Sequence, residues 1–386
     1  MIGQIRVLLK LSARGFRTRI KASLLIVAGL LFVVSGTLPI LTLADALVRA
    51  MKAQGDPSVA YITQAGSVNS GLSRMPEWWV RVVKLAPGVR RAPAGASMVY
   101  GGVGTDIFPK KPDGKPGRLG VAGLSADSLL ARPGFQLTAG RMFRPGAREV
   151  IAGDLAEAEF AGLRPGDTVA MPDGSRWPVV GLFTAPGIMN SRLYCDTGVL
   201  MATLHRAEYG VIFAHLQSPQ SFANFSAALA HDQRLSNMVV QRESDHYAVY
   251  ARGATSNALV LVALLGLFLG LGAVAGTLNS MHAAVSGRIE EIAILRAIGF
   301  GGLPVAATVV LEAMLLAVLG ALLAGGMIAF WLDGRLVNIQ GVLRLKVTLG
   351  LFALAIVSAL SIALIGALIP ALRAARVTVI EALRSR

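Results

Sequence analysis

Hydrophobic and polar positions fall into two regimes along this chain. Four runs are nearly free of charge: LLIVAGLLFVVSGTLPILTLA at 24–44, LVLVALLGLFLGLGAVAGTL at 259–278, the stretch 305–332, which only Glu312 interrupts, and 347–369. A hydrocarbon core about 30 Å thick needs about 20 apolar residues at about 1.5 Å rise, so each run predicts a transmembrane helix. Between the first and second runs the apolar stretches are short and alternate with Gly, Pro and Asp. SMVYGGV (97–103), REVIAG (148–153), DTVAMPDGSRWPVVGLF (167–183) and GVIFAHL (210–216) read as strands, with Pro-Asp-Gly at 172–174 as a hairpin turn. SADSLLA (125–131) and SFANFSAALAHD (221–232) read as short helices with Ser at the N-cap position. The pattern predicts a membrane α-helical protein. It has four transmembrane helices, one N-terminal and three C-terminal, and a large α+β domain between helices 1 and 2.

Composition narrows the class. Of the 386 residues, 54% are hydrophobic and 15% charged, against about 25% charged in soluble chains. That argues against a wholly soluble enzyme, a disordered tail and a fibrous repeat. The net charge of +15 is concentrated beside the apolar runs. Arg6, Lys10, Arg14, Arg17, Arg19 and Lys21 precede the first, and Arg373, Arg376, Arg384 and Arg386 follow the last. This is the positive-inside pattern, not a nucleic-acid patch. It predicts both termini in the cytoplasm and the α+β domain outside, and two basic ends outweigh Arg335, Arg344 and Lys346 in the short outer loop. The first run is too long for a signal-peptide core and lacks a small-residue cleavage site before Asp45, which favours a retained anchor.

The expected plan is a cytoplasmic amphipathic helix at 1–21, transmembrane helix 1 at 22–46, the extracytoplasmic domain at 47–254 and transmembrane helix 2 at 255–283. A cytoplasmic loop at 284–303, helix 3 at 304–332, an outer loop at 333–346, helix 4 at 347–370 and a cytoplasmic tail at 371–386 complete it. The segment 1–21 either lies along the inner membrane surface or is a solvated topogenic tail.

Candidate chemistry is sparse. The one cysteine, Cys195, forms no CxxC, and the five histidines show no metal-ligand spacing. No GxSxG, SxxK or phosphate-loop motif occurs. Gly101–Gly104 reads best as a tight turn, and Asp154, Glu157 and Glu159 as a solvated helix face. Met75, Trp78 and Trp79 suit a bilayer surface, an apolar groove or plain core. We expect neither a catalytic constellation nor a cofactor bound by this chain.

The stretch GRIEEIAILRAIGFGG (287–302) carries more information. Ile289, Ile292, Leu295 and Ile298 recur every three residues as an apolar stripe, flanked by Arg288, Glu290, Glu291 and Arg296. Gly299 and Gly301 stop the helix. Such a helix either docks in a partner's groove or lies on the lipid surface. Glu312 sits within a span, where a lone acid costs about 2.5–3.5 kcal/mol and requires a bonding partner or a signalling role. Gly266-xxx-Gly270 and Gly272-xxx-Gly276 place small residues on one helix face, which permits close helix packing; chance spacing in a Gly-rich chain explains them equally well.

Residues 288–299, RIEEIAILRAIG, resemble the R-x-x-E-I-A/G-x-L-R-A-x-G stretch of FtsX/MacB-type ABC transporter permeases. Pro304 with LEAMLLAVLG (311–320) resembles the family's following helix. PALRAARVTVIEALRSR (370–386) resembles its C-terminal ending, with Val379 where the family usually has proline. GRMFRPGAREVIAGDLAEAEFAGLRPGDTVAMPDGSRWPVVGLF (140–183) is similar to its periplasmic domain. The resemblance implies a dimer with a second permease copy, identical or paralogous, and a separate cytoplasmic ABC ATPase that uses ATP and Mg. Movement of the outer domains (mechanotransmission) then exports or extracts an amphiphilic substrate. The alternative is a non-transporting signal transmitter acting on a cell-wall hydrolase. It further implies a bacterial inner-membrane location, with membrane lipids, a periplasmic adaptor and an outer-membrane component as candidate partners. Matched to the family's motifs, Arg288, Glu291, Ile292, Leu295, Arg296, Ala297, Gly299, Arg376, Glu381 and Leu383 are the expected ATPase-coupling residues.

Overall fold

The computed structural model describes residues 20–67, 73–339 and 341–376. The amphipathic segment, apart from its last two residues, and the tail positions Glu381 and Leu383 lie outside them. The chain divides into two compact units. One comprises residues up to Asp45, Ser256–Arg335 and residues from Leu345. The other comprises Ala46–Thr255 and Leu336–Arg344, so four chain connections join them.

The second unit is built on strands β1 (Val59–Gln64), β2 (Val99–Ile107), β3 (Leu119–Gly123), β4 (Gln136–Gly140), β5 (Val150–Gly153), β6 (Thr168–Ala170), β7 (Arg176–Thr184), β8 (Leu193–Cys195), β9 (Val211–His215) and β10 (Met238–Arg242). They pair in the order β10-β1-β9-β2-β3-β8-β5-β7-β4, with β6 on β7. The β3–β8 and β5–β7 pairs are parallel; the others are antiparallel. The period-2 alternation sorts side chains to opposite faces. On β1, Ala60 and Ile62 join a core with Trp79, Val83, Phe225 and Leu229. Val59 and Tyr61 join another with Phe183, Tyr194 and Phe213. A third core under β3, β5, β7 and β8 is centred on fully buried Trp177 and includes Val342. That last residue belongs to the hairpin β11 (Leu336–Asn338) and β12 (Val342–Arg344), whose Asn338 donates to the Arg118 carbonyl at 2.5 Å.

Helices α2 (Glu77–Lys84), α3 (Ala126–Leu130), α4 (Asp154–Glu159), α5 (Thr197–Thr203) and α6 (Phe222–Ala230) cover this sheet. Met75 and Trp79 are core residues, whereas Trp78 is exposed. The Pro-Asp-Gly turn joins β6 to β7, with Gly174 at φ 81°, a left-handed backbone that glycine adopts without steric cost. Ser125 and Ser221 occupy N-cap positions, yet neither side chain makes a capping bond. The stretch Gly101–Gly104 is strand, not turn. Gly101 lies flat against the Tyr209 ring and Gly102 against Val211, where a side chain would collide.

The first unit contains the apolar helices α1 (Ile20–Gln54, as far as Asp45), α7 (Glu243–Ser286, from Ser256), α9 (Gly302–Leu332) and α10 (Leu349–Arg376), with the short α8 (Ile289–Ala297) between α7 and α9. Each of the long ones is apolar and long enough to cross a membrane. Their shared core sets large residues, among them Ile26, Leu30, Leu38 and Leu316, beside a stripe of alanines. Ala355, Ala359, Ala363, Ala367 and Ala371 stand every four residues on α10 and meet Ala313, Ala317, Ala321 and Ala324 of α9. Small side chains let helix backbones approach in lipid, where apolar burial drives nothing. The glycines expected to pack do so only loosely. An added Cβ at Gly266 would stand 4.0 Å from Thr37 and at Gly270 3.7 Å from Ile362, while Gly272 and Gly276 face open space. Tighter approaches include Gly320, where a Cβ would be 3.1 Å from the Val27 carbonyl, Gly366, where it would be 2.8 Å from Thr277, and Gly325, where it would collide with the Phe352 ring. Glycine spacing alone does not reveal which face another helix covers.

Candidate functional site

Helix α8 opens at Arg288 and closes in a Schellman motif. The Gly299 N–H donates to the Arg296 carbonyl, the Phe300 N–H donates to the Leu295 carbonyl, and Gly299 takes φ 103°. Both ends are tied to neighbouring helices. Arg288 Nη1 lies 3.4 Å from Glu312 on α9, with side chains 14% and 17% exposed. Arg288 Nε is 3.9 Å from Glu291. Arg296 donates from Nη1 to the Ala375 carbonyl near the end of α10. Glu312 is therefore paired with the segment before α8.

The faces of α8 differ from the expected stripe. Ile292 is buried in the shared core, Leu295 packs against that core, and Ala293 is buried as well. Ile298 is 72% exposed and Ile294 60%, alongside exposed Glu290, Glu291 and Ala297. Three-residue steps fall about 60° short of a full turn, so a residue nine positions on stands on the opposite face from the first. Ile289 and Ile298 therefore never shared a side. Of the expected coupling residues, Glu291, Ala297 and Gly299 are at the surface. Ile292, Leu295, Arg288 and Arg296 are turned toward α9 and α10, and Arg376 is the last described residue. The exposed isoleucines could have been found by counting at 3.6 residues per turn.

The family is decided by two matches. The MacB-like periplasmic core domain matches residues 23–232, more than half of the chain, and the FtsX-like permease C-terminal domain matches 263–379. The chain belongs to the MacB/FtsX-type permeases. Two solved structures are similar to this permease. The extracellular domain of the noncanonic ABC-type transporter YknZ from Gram-positive bacteria is 15% identical, covering 48% of this chain and 100% of that one, with a TM-score of 0.36. The periplasmic region of MacB from Actinobacillus actinomycetemcomitans is 12% identical, covering 53% and 97%, with a TM-score of 0.38. No curated protein sequence matches the chain. The permease is thus a membrane protein with a periplasmic domain, in a family that works with an ABC ATPase partner.

In the permease's outer unit one polar cluster stands out. Arg132 Nη1 donates to both Glu243 oxygens, at 2.9 and 3.1 Å, with both side chains buried. The Asp56 N–H reaches Glu243 at 3.3 Å, and the Arg132 guanidinium lies 5.0 Å above the Phe213 ring. The pair ties the first residue of α7 to the turn that follows α3. No sequence signal marked it, because its partners are 111 residues apart. Ser128 Oγ lies 3.3 Å from His215 Nε2, both buried. Burial, reinforced by Arg132, holds this imidazole down at about 4. The dyad is sealed in the core, where no substrate reaches it. The acids of α4 are dispersed. Asp154 accepts from Thr138, Glu157 pairs with Arg164, and Glu159 pairs with Lys111. Among the described residues no group of three His, Cys, Asp or Glu is placed to hold a metal.

Proposed function

We propose that this chain is the membrane subunit of an ABC system. A separate cytoplasmic ATPase, using ATP and Mg, docks on the exposed face of α8, formed by Glu290, Glu291, Ile294, Ala297 and Ile298. The observation that carries the reading is the asymmetry of that helix: an acidic and apolar outer face, and an inner face bonded to α9 and α10 at both ends. A push on the outer face is then passed to two transmembrane helices through Arg288–Glu312 and Arg296–Ala375, with little lost to slack. The four chain connections between the units carry that motion into the outer domain, and a permease dimer uses it to export or extract an amphiphilic substrate.

The test is co-purification from native membranes. Wild type is expected to bring down an ABC ATPase, and Glu291→Lys with Ile294→Asp to lose it without losing the folded permease. An ATPase retained at wild-type level by the double variant overturns the docking face. What else co-purifies separates the two activities. An adaptor or duct supports export; a cell-wall hydrolase supports signal transmission instead.

A further inference from the structure

The outer unit contains a cavity of about 640 Å³ that none of the family motifs involves. Its volume falls within the range of small-molecule sites, about 300–1,000 Å³. Tyr61, His246 and Tyr250 form an aromatic wall: the Tyr61 and His246 rings stack at 4.0 Å, and Tyr250 lies 5.5 Å beyond. Met51, Ile188 and Val121 add apolar floor.

The polar groups are unevenly satisfied. Asp106 is neutralised by Arg118 at 2.7 Å, and the Asn338 amide is engaged by the Arg118 carbonyl. Arg192 is different. It lines the cavity half-buried, its side chain fills the space beside Gly120 that a Cβ there would enter, and its guanidinium makes no hydrogen bond or ion pair among the described residues. A guanidinium offers five donors in a planar fork, matched to carboxylate or phosphate oxygens. The Gln54 amide also lines the cavity. It pairs with the Tyr247 hydroxyl at 2.5 Å at one end, and its other end is buried without a partner. An amide can be turned over without cost to geometry, so that unpaired end supplies either a donor or an acceptor.

We infer that this cavity binds the anionic head of an amphiphile, with Arg192 gripping a phosphate or carboxylate and the Tyr61–His246–Tyr250 wall covering the adjoining apolar portion. The net positive charge left once Asp106 and Arg118 cancel excludes a cationic head. The aromatic and apolar walls would stay wet around a bare anion, so the ligand extends beyond its charged group. Gly104 and Gly120 leave main chain, not side chains, facing that space. The inference deepens the proposed function by giving its amphiphilic cargo a binding site in the outer unit.

The probe is dihexanoyl phosphatidic acid, titrated calorimetrically into the full chain in zwitterionic nanodiscs, with empty discs subtracted. Saturable binding is expected, at least tenfold tighter than for dihexanoyl phosphatidylcholine or inorganic phosphate. Arg192→Ala is expected to weaken it tenfold or more, and Arg192→Lys to restore part. Gly104→Leu, whose Cβ meets only the Val121 carbonyl at 3.6 Å, fills the cavity with Arg192 intact and is expected to abolish binding. It decides the matter should an Arg192 variant fail to fold. Equal binding of the two lipids, or wild-type binding by folded Arg192→Ala or Gly104→Leu, overturns the site. Inorganic phosphate binding as tightly as the lipid overturns the amphiphile. ATPase co-purification is read independently, so loss of this site leaves the coupling face standing, and the reverse.

Discussion

The two units of this permease differ in how far small residues build their cores. The outer unit buries Trp177, Phe183 and Phe225 whole. The membrane unit buries Ile26, Leu30 and Leu38 beside a ladder of alanines from Ala355 to Ala371, and many of its large residues, such as Leu264, Phe268 and Phe330, are exposed. The solvent explains the difference. In water, large apolar surfaces gain most by leaving it. In lipid they gain nothing, and close contact between small residues decides which helix faces meet.

The comparison is broken most severely by removing what is large or charged from the outer unit. Trp177→Ala should cost about 3–5 kcal/mol through the cavity it leaves. Glu243→Ala should cost a similar about 3–5 kcal/mol, because it strands the Arg132 charge in the core. Urea unfolding followed by near-ultraviolet circular dichroism measures both; a loss below about 1 kcal/mol in either would show that the site relaxes.

Acid reaches the same core through His215. Between the ordinary imidazole value near 6.5 and its folded value of about 4, the unfolded chain takes up a proton that the folded chain refuses. The contribution is therefore complete above 6.5 and lost as pH falls through that window, by roughly 3 kcal/mol at its limit. Glu149, held at about 2 by its bond to Arg141, gives way only from 4.5 downward. Melting temperatures from pH 7 to 4.5 should fall for wild type and hold nearly flat for His215→Gln. Parallel curves would remove His215 from the account.

In the membrane unit the sensitive change is the reverse one. Ala363→Leu should overpack the α9–α10 contact by about 1–3 kcal/mol, read as a lower melting temperature in detergent. Gly272→Ala, facing open space, should stay within about 0.5 kcal/mol of wild type. A larger penalty at Gly272 would mark a second helix against that face.

The sequence made the two solvents legible, because run length and charge placement respond directly to a bilayer. The strands at 97–103, 148–153 and 210–216 were legible from alternation, and the 172–174 turn from its Pro-Asp-Gly. Gly101–Gly104 was misread because glycine serves a close ring contact within a strand as readily as a turn. The Arg132–Glu243 pair and the Arg192 cavity were invisible, since each gathers residues from distant parts of the chain. The helix at Ile289–Ala297 was legible from the glycines that end it and its faces were not: a step of three, followed for nine residues, crosses to the other side of the helix.

The central claim, that the outer face of α8 meets the ATPase, is tested most directly by cysteine cross-linking. Cys195 is buried, and burial pushes its thiol up, so it stays silent beside an introduced surface thiol. Single cysteines at Ile294 and Ile298 should cross-link to the co-purified ATPase, and those at Ile292 and Ala293 should not. Cross-links from the second pair with none from the first would contradict the account.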